Sequence, residues 1–133
     1  MADISLFDPP TDTLIDTDNW LESAVAMGAT QACFTVHHSG GFAMWPSKYK
    51  NYTIANSPYG QRHPGVDMVA QFVASCRKYH VSPCFYIAPQ VDCDLASGSP
   101  THYIPAMMGM LTELLGGPMG SLTGCGWIRA GPL

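Results

Sequence analysis

Two short apolar runs constrain this chain more than any other feature: Gln31-Ala32-Cys33-Phe34-Thr35-Val36 and Val81-Ser82-Pro83-Cys84-Phe85-Tyr86-Ile87-Ala88. Each has the length of a strand, follows a segment of helical periodicity and opens into a long polar stretch. The near-continuous apolar character of the first suits a parallel sheet covered on both faces. Pro83 stands near the start of the second, where a missing donor is tolerated. The order helix, strand, loop, helix, strand, loop, helix is the βα repeat of an α/β fold, with parallel strands alternating with helices through right-handed crossovers.

The intervening segments carry the helices. A first helix is expected to open at Thr17 or Asp18, to present Trp20, Leu21, Ala24, Val25 and Met27, and to stop at Gly28. A second runs from about Val66 to Tyr79, with Val66, Val69, Ala70, Val73 and Cys76 at spacings of three and four and Arg77 and Lys78 in its last turn. A third, from about Tyr103 to Leu115, carries Ile104, Met107, Met108, Leu111 and Leu114 and ends at Gly116-Gly117-Pro118. Residues 1–16 read as a surface lead-in, and the stretch from His37 to Pro64 as a long irregular loop of the kind that carries function.

Composition removes several function classes. Six Lys+Arg against ten Asp+Glu give a formal charge of −4, with no basic cluster, which argues against nucleic-acid binding led by phosphate contacts. No apolar run approaches the roughly 18 residues of a membrane helix. The opening Met-Ala-Asp-Ile-Ser lacks the basic-then-apolar order of a signal peptide, so the sequence itself assigns no compartment. Five cysteines without a CxxC pair argue against a zinc site or a disulfide scaffold, and Cys33 and Cys84 read as small core residues. No cofactor is expected.

Sites in α/β enzymes lie at the carboxyl ends of the strands. After the first run stand His37-His38-Ser39-Gly40-Gly41-Phe42-Ala43-Met44-Trp45-Pro46-Ser47. A neutral imidazole both donates and accepts, which suits sugar hydroxyls, metals or proton transfer; a bare His-His pair also serves as a loop cap beside a solvated ring. Trp45 could stack on a sugar or plug the core beside Met44 and Pro46. At the second strand end lie Tyr86 and the pair Asp92 and Asp94, which reads first as a turn and second as an acid/base pair. His63, His80 and His102 read as residues at helix boundaries, and Asn51-Tyr52-Thr53 fits a glycosylation acceptor.

The run from Phe34 to Tyr49 resembles the α-L-fucosidases of glycoside hydrolase family 29, which carry a lysine-histidine-histidine-aspartate-glycine-phenylalanine segment followed by tryptophan-proline-serine-x-tyrosine. The likeness continues through Asn51-Tyr52, Asn56-Ser57-Pro58, Gly65-Val66-Asp67-Met68-Val69, Ser75-Cys76-Arg77-Lys78-Tyr79 and Phe85-Tyr86-Ile87-Ala88-Pro89, and reaches back over Phe7 to Gly28. It covers about residues 7–120. The resemblance implies a (β/α)8 TIM-barrel-like catalytic domain, incomplete here, that removes α-linked L-fucose from glycans with retention of configuration. It implies that His37 and His38 bind fucose hydroxyls, with Trp45 and Tyr86 near the same pocket, and that the partner is a fucosylated glycan or glycoconjugate. Members are commonly secreted or lysosomal.

The departures bear on catalysis. Val36 replaces the family lysine, and Ser39-Gly40-Gly41 replaces aspartate-glycine, a variant that occurs within the family. Retaining hydrolysis needs a carboxylate nucleophile and an acid/base about 5–5.5 Å apart. If Trp127 matches the tryptophan of the family's nucleophile segment, Arg129 stands where the aspartate belongs, and a guanidinium cannot attack an anomeric carbon. The tail over residues 121–133 also lacks the apolar pattern of the strand expected there. The expectation is a single partial barrel domain over 1–133, holding half a sugar pocket and neither catalytic carboxylate, and inactive alone. The alternatives are a non-catalytic carbohydrate-binding remnant and, against the resemblance, a metal-dependent hydrolase using His37, His38 and Asp92. A whole barrel takes about 250 residues, so a piece this short is expected to aggregate or stay partly molten.

Overall fold

The structure, a computed structural model, describes residues 3–10, 13–88, 92, 100–117 and 127–130, the last four as backbone. Three parallel strands, β1 (Gln31–His37), β2 (Ser82–Ile87) and β3 (Trp127–Ala130), lie in the order β1-β2-β3. Among the described residues the α-helices are α1 (Thr17–Ala26), α2 (Pro58–Arg62), α3 (Met68–Lys78) and α4 (Pro100–Gly116). None of the described helices is long and apolar enough to cross a membrane.

Local chemistry explains the helix ends. Asp16, one residue earlier than expected, caps α1: its extended backbone lets the carboxylate accept from the Asn19 N–H at 3.1 Å. Asp67 caps α3 in the same way through the Ala70 N–H at 2.9 Å. The helix α1 ends where Gly28 turns left-handed at φ 80°. Beyond α3 that conformation falls to His80, at φ 56°, the one left-handed residue other than glycine among those described. Thr17 and Ser75 hydroxyls meet at 2.8 Å, and the Lys78 ammonium reaches Asp18 at 2.6 Å, so α1 and α3 are laced side by side.

A core of Leu21, Val36, Trp45, Val69, Phe72, Val73, Phe85, Ile87, Met107, Met110 and Leu114 lies between the sheet and the helices. The expectation of a sheet covered on both faces is corrected at β1. Ala32 and Phe34 pack on the core, whereas Gln31, Cys33 and Thr35 alternate onto an exposed face. Cys33 is therefore exposed rather than a core residue, because β1 is a sheet edge with one side bare; Cys84, on the central strand, is buried. The apolar stripe of α1 is likewise only partly used, since Leu21 is buried while Trp20, Val25 and Met27 remain exposed.

The segment 38–57 is more ordered than its composition suggests. Ala43 bridges to both His37 and Thr53, and Met44 donates its N–H to the Val36 carbonyl at 3.0 Å and accepts from the Met68 N–H at 3.1 Å. A 3-10 turn, Ile54–Asn56, leads into α2. Gly60 is required there, because a Cβ would fall 2.0 Å from the Ile54 carbonyl oxygen. A second, smaller core of Ile54, Tyr59, Val66 and Met68 forms beneath it. The tail also departs from expectation: despite its weak apolar pattern, residues 127–130 form β3, with Trp127 in register with Cys84 and Arg129 with Tyr86. Pairing to an existing strand supplies what local propensity lacks.

Candidate functional site

The carboxyl end of β1 is irregular. Thr35 pairs with Tyr86 and His37 with Ile87, so Val36 is an extra residue in the ladder. The in-out alternation of β1 stops at that bulge, and Val36 and His37 are both buried. Only Gly41, left-handed at φ 87°, then lets the chain fold back so that Ala43 pairs with His37.

His37 is held in a buried ionic cluster. Its Nε2 lies 2.9 Å from Oδ2 of Asp92, and the Lys50 ammonium lies 2.6 Å from the same oxygen. All three side chains are fully shielded from solvent. Two charge-assisted hydrogen bonds compensate the desolvation of the carboxylate, which would otherwise cost several kcal/mol. Burial raises the Tyr103 phenol above its ordinary pKa, and the negative charge of Asp92 adds to the effect. The remaining nitrogen of His37, Nδ1, is buried with no hydrogen-bond partner among the described residues.

His38 is the outer member of the pair. It is exposed, its Nδ1 lies 3.0 Å from the Ser39 hydroxyl, and its ring stacks on Tyr86 at 5.9 Å between centroids and 22° between planes. Tyr86, on the neighbouring strand, is half-buried. Trp45 sits elsewhere: only 5% exposed, it belongs to the core, and its indole N–H donates to Glu113 Oε2 at 3.0 Å. Glu113, on α4, also accepts from the Ser47 hydroxyl at 2.8 Å and the Lys48 N–H at 2.9 Å. Tyr49 rests on the same helix, its ring filling the space where Gly109 has no Cβ.

The structure thus brings His38 and Tyr86 together at the rim, places His37 beneath an irregular strand end, and locks Trp45 against α4. Asp92, read first as a turn former, instead directs its carboxylate into the cluster; Asp94 lies outside the described residues. Lys50 and Glu113 were not singled out by the sequence. Glu113 is a lone charge among apolar and neutral neighbours, whereas Lys50, two residues after Lys48, carries no such signal. Among the described residues no three His, Cys, Asp or Glu side chains converge as metal ligands, and the position a cation would take beside Asp92 is held by the Lys50 ammonium. An open depression of about 580 Å³ near the start of α1, lined by Leu14, Thr17, Asp18 and Gln71 among others, shares no residue with this site.

Residues 6–98 match the family model described as Alpha-L-fucosidase. The chain is 30% identical over 114 residues to a protein of Oryza sativa subsp. japonica that bears a provisional alpha-L-fucosidase 1 name, covering 86% of this chain and 21% of the relative. It is 26% identical over 114 residues to Alpha-L-fucosidase 1 of Arabidopsis thaliana, covering 86% of this chain and 22% of that protein. The crystal structure of a glycoside hydrolase 29 family member from an unknown rumen bacterium superposes with a TM-score of 0.76 at 28% identity, over 96% of this chain and 22% of the other. The chain therefore spans about a fifth of the length of the curated relatives it matches.

Proposed function

This chain belongs to the alpha-L-fucosidase family, and from that premise we propose that it forms the early wall of a sugar pocket in a (β/α)8-type catalytic domain, binding L-fucose without cleaving it. In this reading residues 1–133 are one partial barrel domain, and the activity it serves is retaining hydrolysis of α-L-fucosyl linkages in glycans. The observation that carries the reading is the buried Nδ1 of His37, without a partner among the described residues, at the carboxyl end of a parallel strand beside the His38–Tyr86 step. Buried polar atoms are almost always satisfied, so an orphan at such a place calls for a partner with a hydroxyl. His38 and Tyr86 offer further polar and stacking contacts. Trp45 stands with them in the proposal, although at 5% exposure it offers a sugar little more than a ring edge.

Two features favour binding over turnover. The carboxylate next to His37, that of Asp92, is sequestered by Lys50 and cannot reach an anomeric carbon as a free nucleophile. At the register position beside Tyr86 the adjoining strand β3 carries Arg129, not a carboxylate. Titration of the chain with L-fucose tests the reading: saturable binding that is lost in His38→Ala is expected, with no release of nitrophenol from 4-nitrophenyl α-L-fucoside. Turnover of that substrate, or the absence of saturable binding, would overturn it.

A further inference from the structure

We propose that Asp92 and Lys50 are positioning residues that fix His37 in one tautomer, with the proton on Nε2 and Nδ1 presented as an acceptor to a sugar hydroxyl. This rests on the pocket reading above and extends it to residues outside the pocket wall. A carboxylate accepts only, so the 2.9 Å approach of Nε2 to Asp92 Oδ2 places the hydrogen on Nε2. In the neutral ring Nδ1 then has a lone pair and no hydrogen. Lys50 makes that state self-consistent: its ammonium, 2.6 Å from the same oxygen, already balances the Asp92 charge. The formal charges of Lys50, Asp92 and a neutral His37 sum to zero inside a fully buried cluster.

The consequence is directional recognition. A neutral His37 free to choose could offer either a donor or an acceptor to the sugar; the Asp92 anchor removes the donor option. The ring orientation is fixed as well, since rotation about Cβ–Cγ would break the Asp92 contact. Among the described residues the buried Nδ1 has no partner, and a ligand hydroxyl would satisfy it. Asp92 and Lys50 act through His37, whose side chain is fully shielded in this structure and meets the sugar only as the ligand enters beside Nδ1.

The test uses the full chain labelled with 15N at histidine, read by solid-state NMR so that self-association does not interfere, with His37→Gln identifying the resonances. A proton on Nε2 and a bare Nδ1 for His37 are expected, and L-fucose should shift Nδ1 while leaving Nε2 bonded to its hydrogen. A proton on Nδ1 overturns the proposal. In Asp92→Asn the His37 signals should show a mixture of tautomers, and L-fucose measured by equilibrium dialysis should bind about tenfold more weakly, the worth of one hydrogen bond. Unchanged signals with unchanged affinity would also overturn it. If the variant does not fold, the wild-type spectrum with and without L-fucose still decides. A wild-type chain showing the expected tautomer yet binding no L-fucose would sink the pocket reading and the ligand assigned to Nδ1, leaving the Asp92 anchor in place.

Discussion

The Lys50 ammonium lies 2.6 Å from Oδ2 of Asp92, and neither side chain has any contact with solvent. Such a pair is weak evidence for net stability, because desolvation consumes most of the Coulombic gain, but removing one partner strands a buried charge. Lys50→Met is therefore expected to destabilise the chain by about 3–5 kcal/mol in urea unfolding. The double variant Lys50→Met/Asp92→Leu should recover most of that loss. A single variant within about 0.5 kcal/mol of wild type would show that the cluster is solvated.

Glu113 gathers three donors from the loop after β1: the Trp45 indole, the Ser47 hydroxyl and the Lys48 N–H. In Glu113→Ala the buried indole N–H loses its partner, at a cost of about 1–3 kcal/mol. Ser47→Ala, which removes a donor near solvent, should cost well under half as much. Urea midpoints followed by tryptophan fluorescence compare the two. Equal effects would mean that the indole contact carries no special weight.

Cys76 makes stability fall in alkali. Burial pushes its thiol from the ordinary 9.0 up to about 11, so folding favours the protonated form. The unfolded chain releases the proton first as pH rises. The stabilisation is complete below pH 9 and is lost as pH climbs toward 11, by about 1.4 kcal/mol per unit of pKa difference at most. The raised Tyr103 phenol acts in the same direction at the upper end of the range. Urea midpoints at pH 8 and pH 11 should converge in Cys76→Val relative to wild type. An identical alkaline loss in that variant would assign the effect elsewhere.

His80 holds a left-handed backbone at φ 56° immediately after α3. A side chain there is strained by about 1 kcal/mol, which glycine relieves at some entropic cost in the unfolded chain. His80→Gly should be neutral or stabilising by up to about 1 kcal/mol, and His80→Val destabilising. Thermal unfolding of the three forms settles the order, and a strongly destabilised glycine variant would show that the imidazole has a role of its own.

How much of this was legible in the sequence follows from the kind of interaction involved. Local signals read well: β1 and β2 follow from largely apolar runs, and α1, α3 and α4 from spacings of three and four, with ends within three residues of those expected. Interactions between distant loop residues did not read at all. Lys50 and Asp92 are 42 positions apart, and neither lies in a periodic segment. Asp92 looked like a turn residue because an aspartate in a polar loop usually is one. The exposure of Cys33 was missed for a different reason. An apolar strand at a sheet edge has the same composition as a buried central one, and only the neighbour count distinguishes them. The strand β3 was missed because its stability comes from the ladder to β2 and not from its own residues.

The Glu113 clasp also imposes an order in time. Its carboxylate is synthesised 68 residues after Trp45 and 66 after Ser47. At about 5–20 residues per second, a ribosome needs roughly 3–14 s to supply the anchor once the indole has been made. During that interval the helix α3 and the strand β2 can pair with β1, while the segment bearing Trp45 has no acceptor for its N–H. The loop after β1 is therefore set later in translation than the pairing of β1 with β2, and its indole stays without this acceptor until α4 has been made.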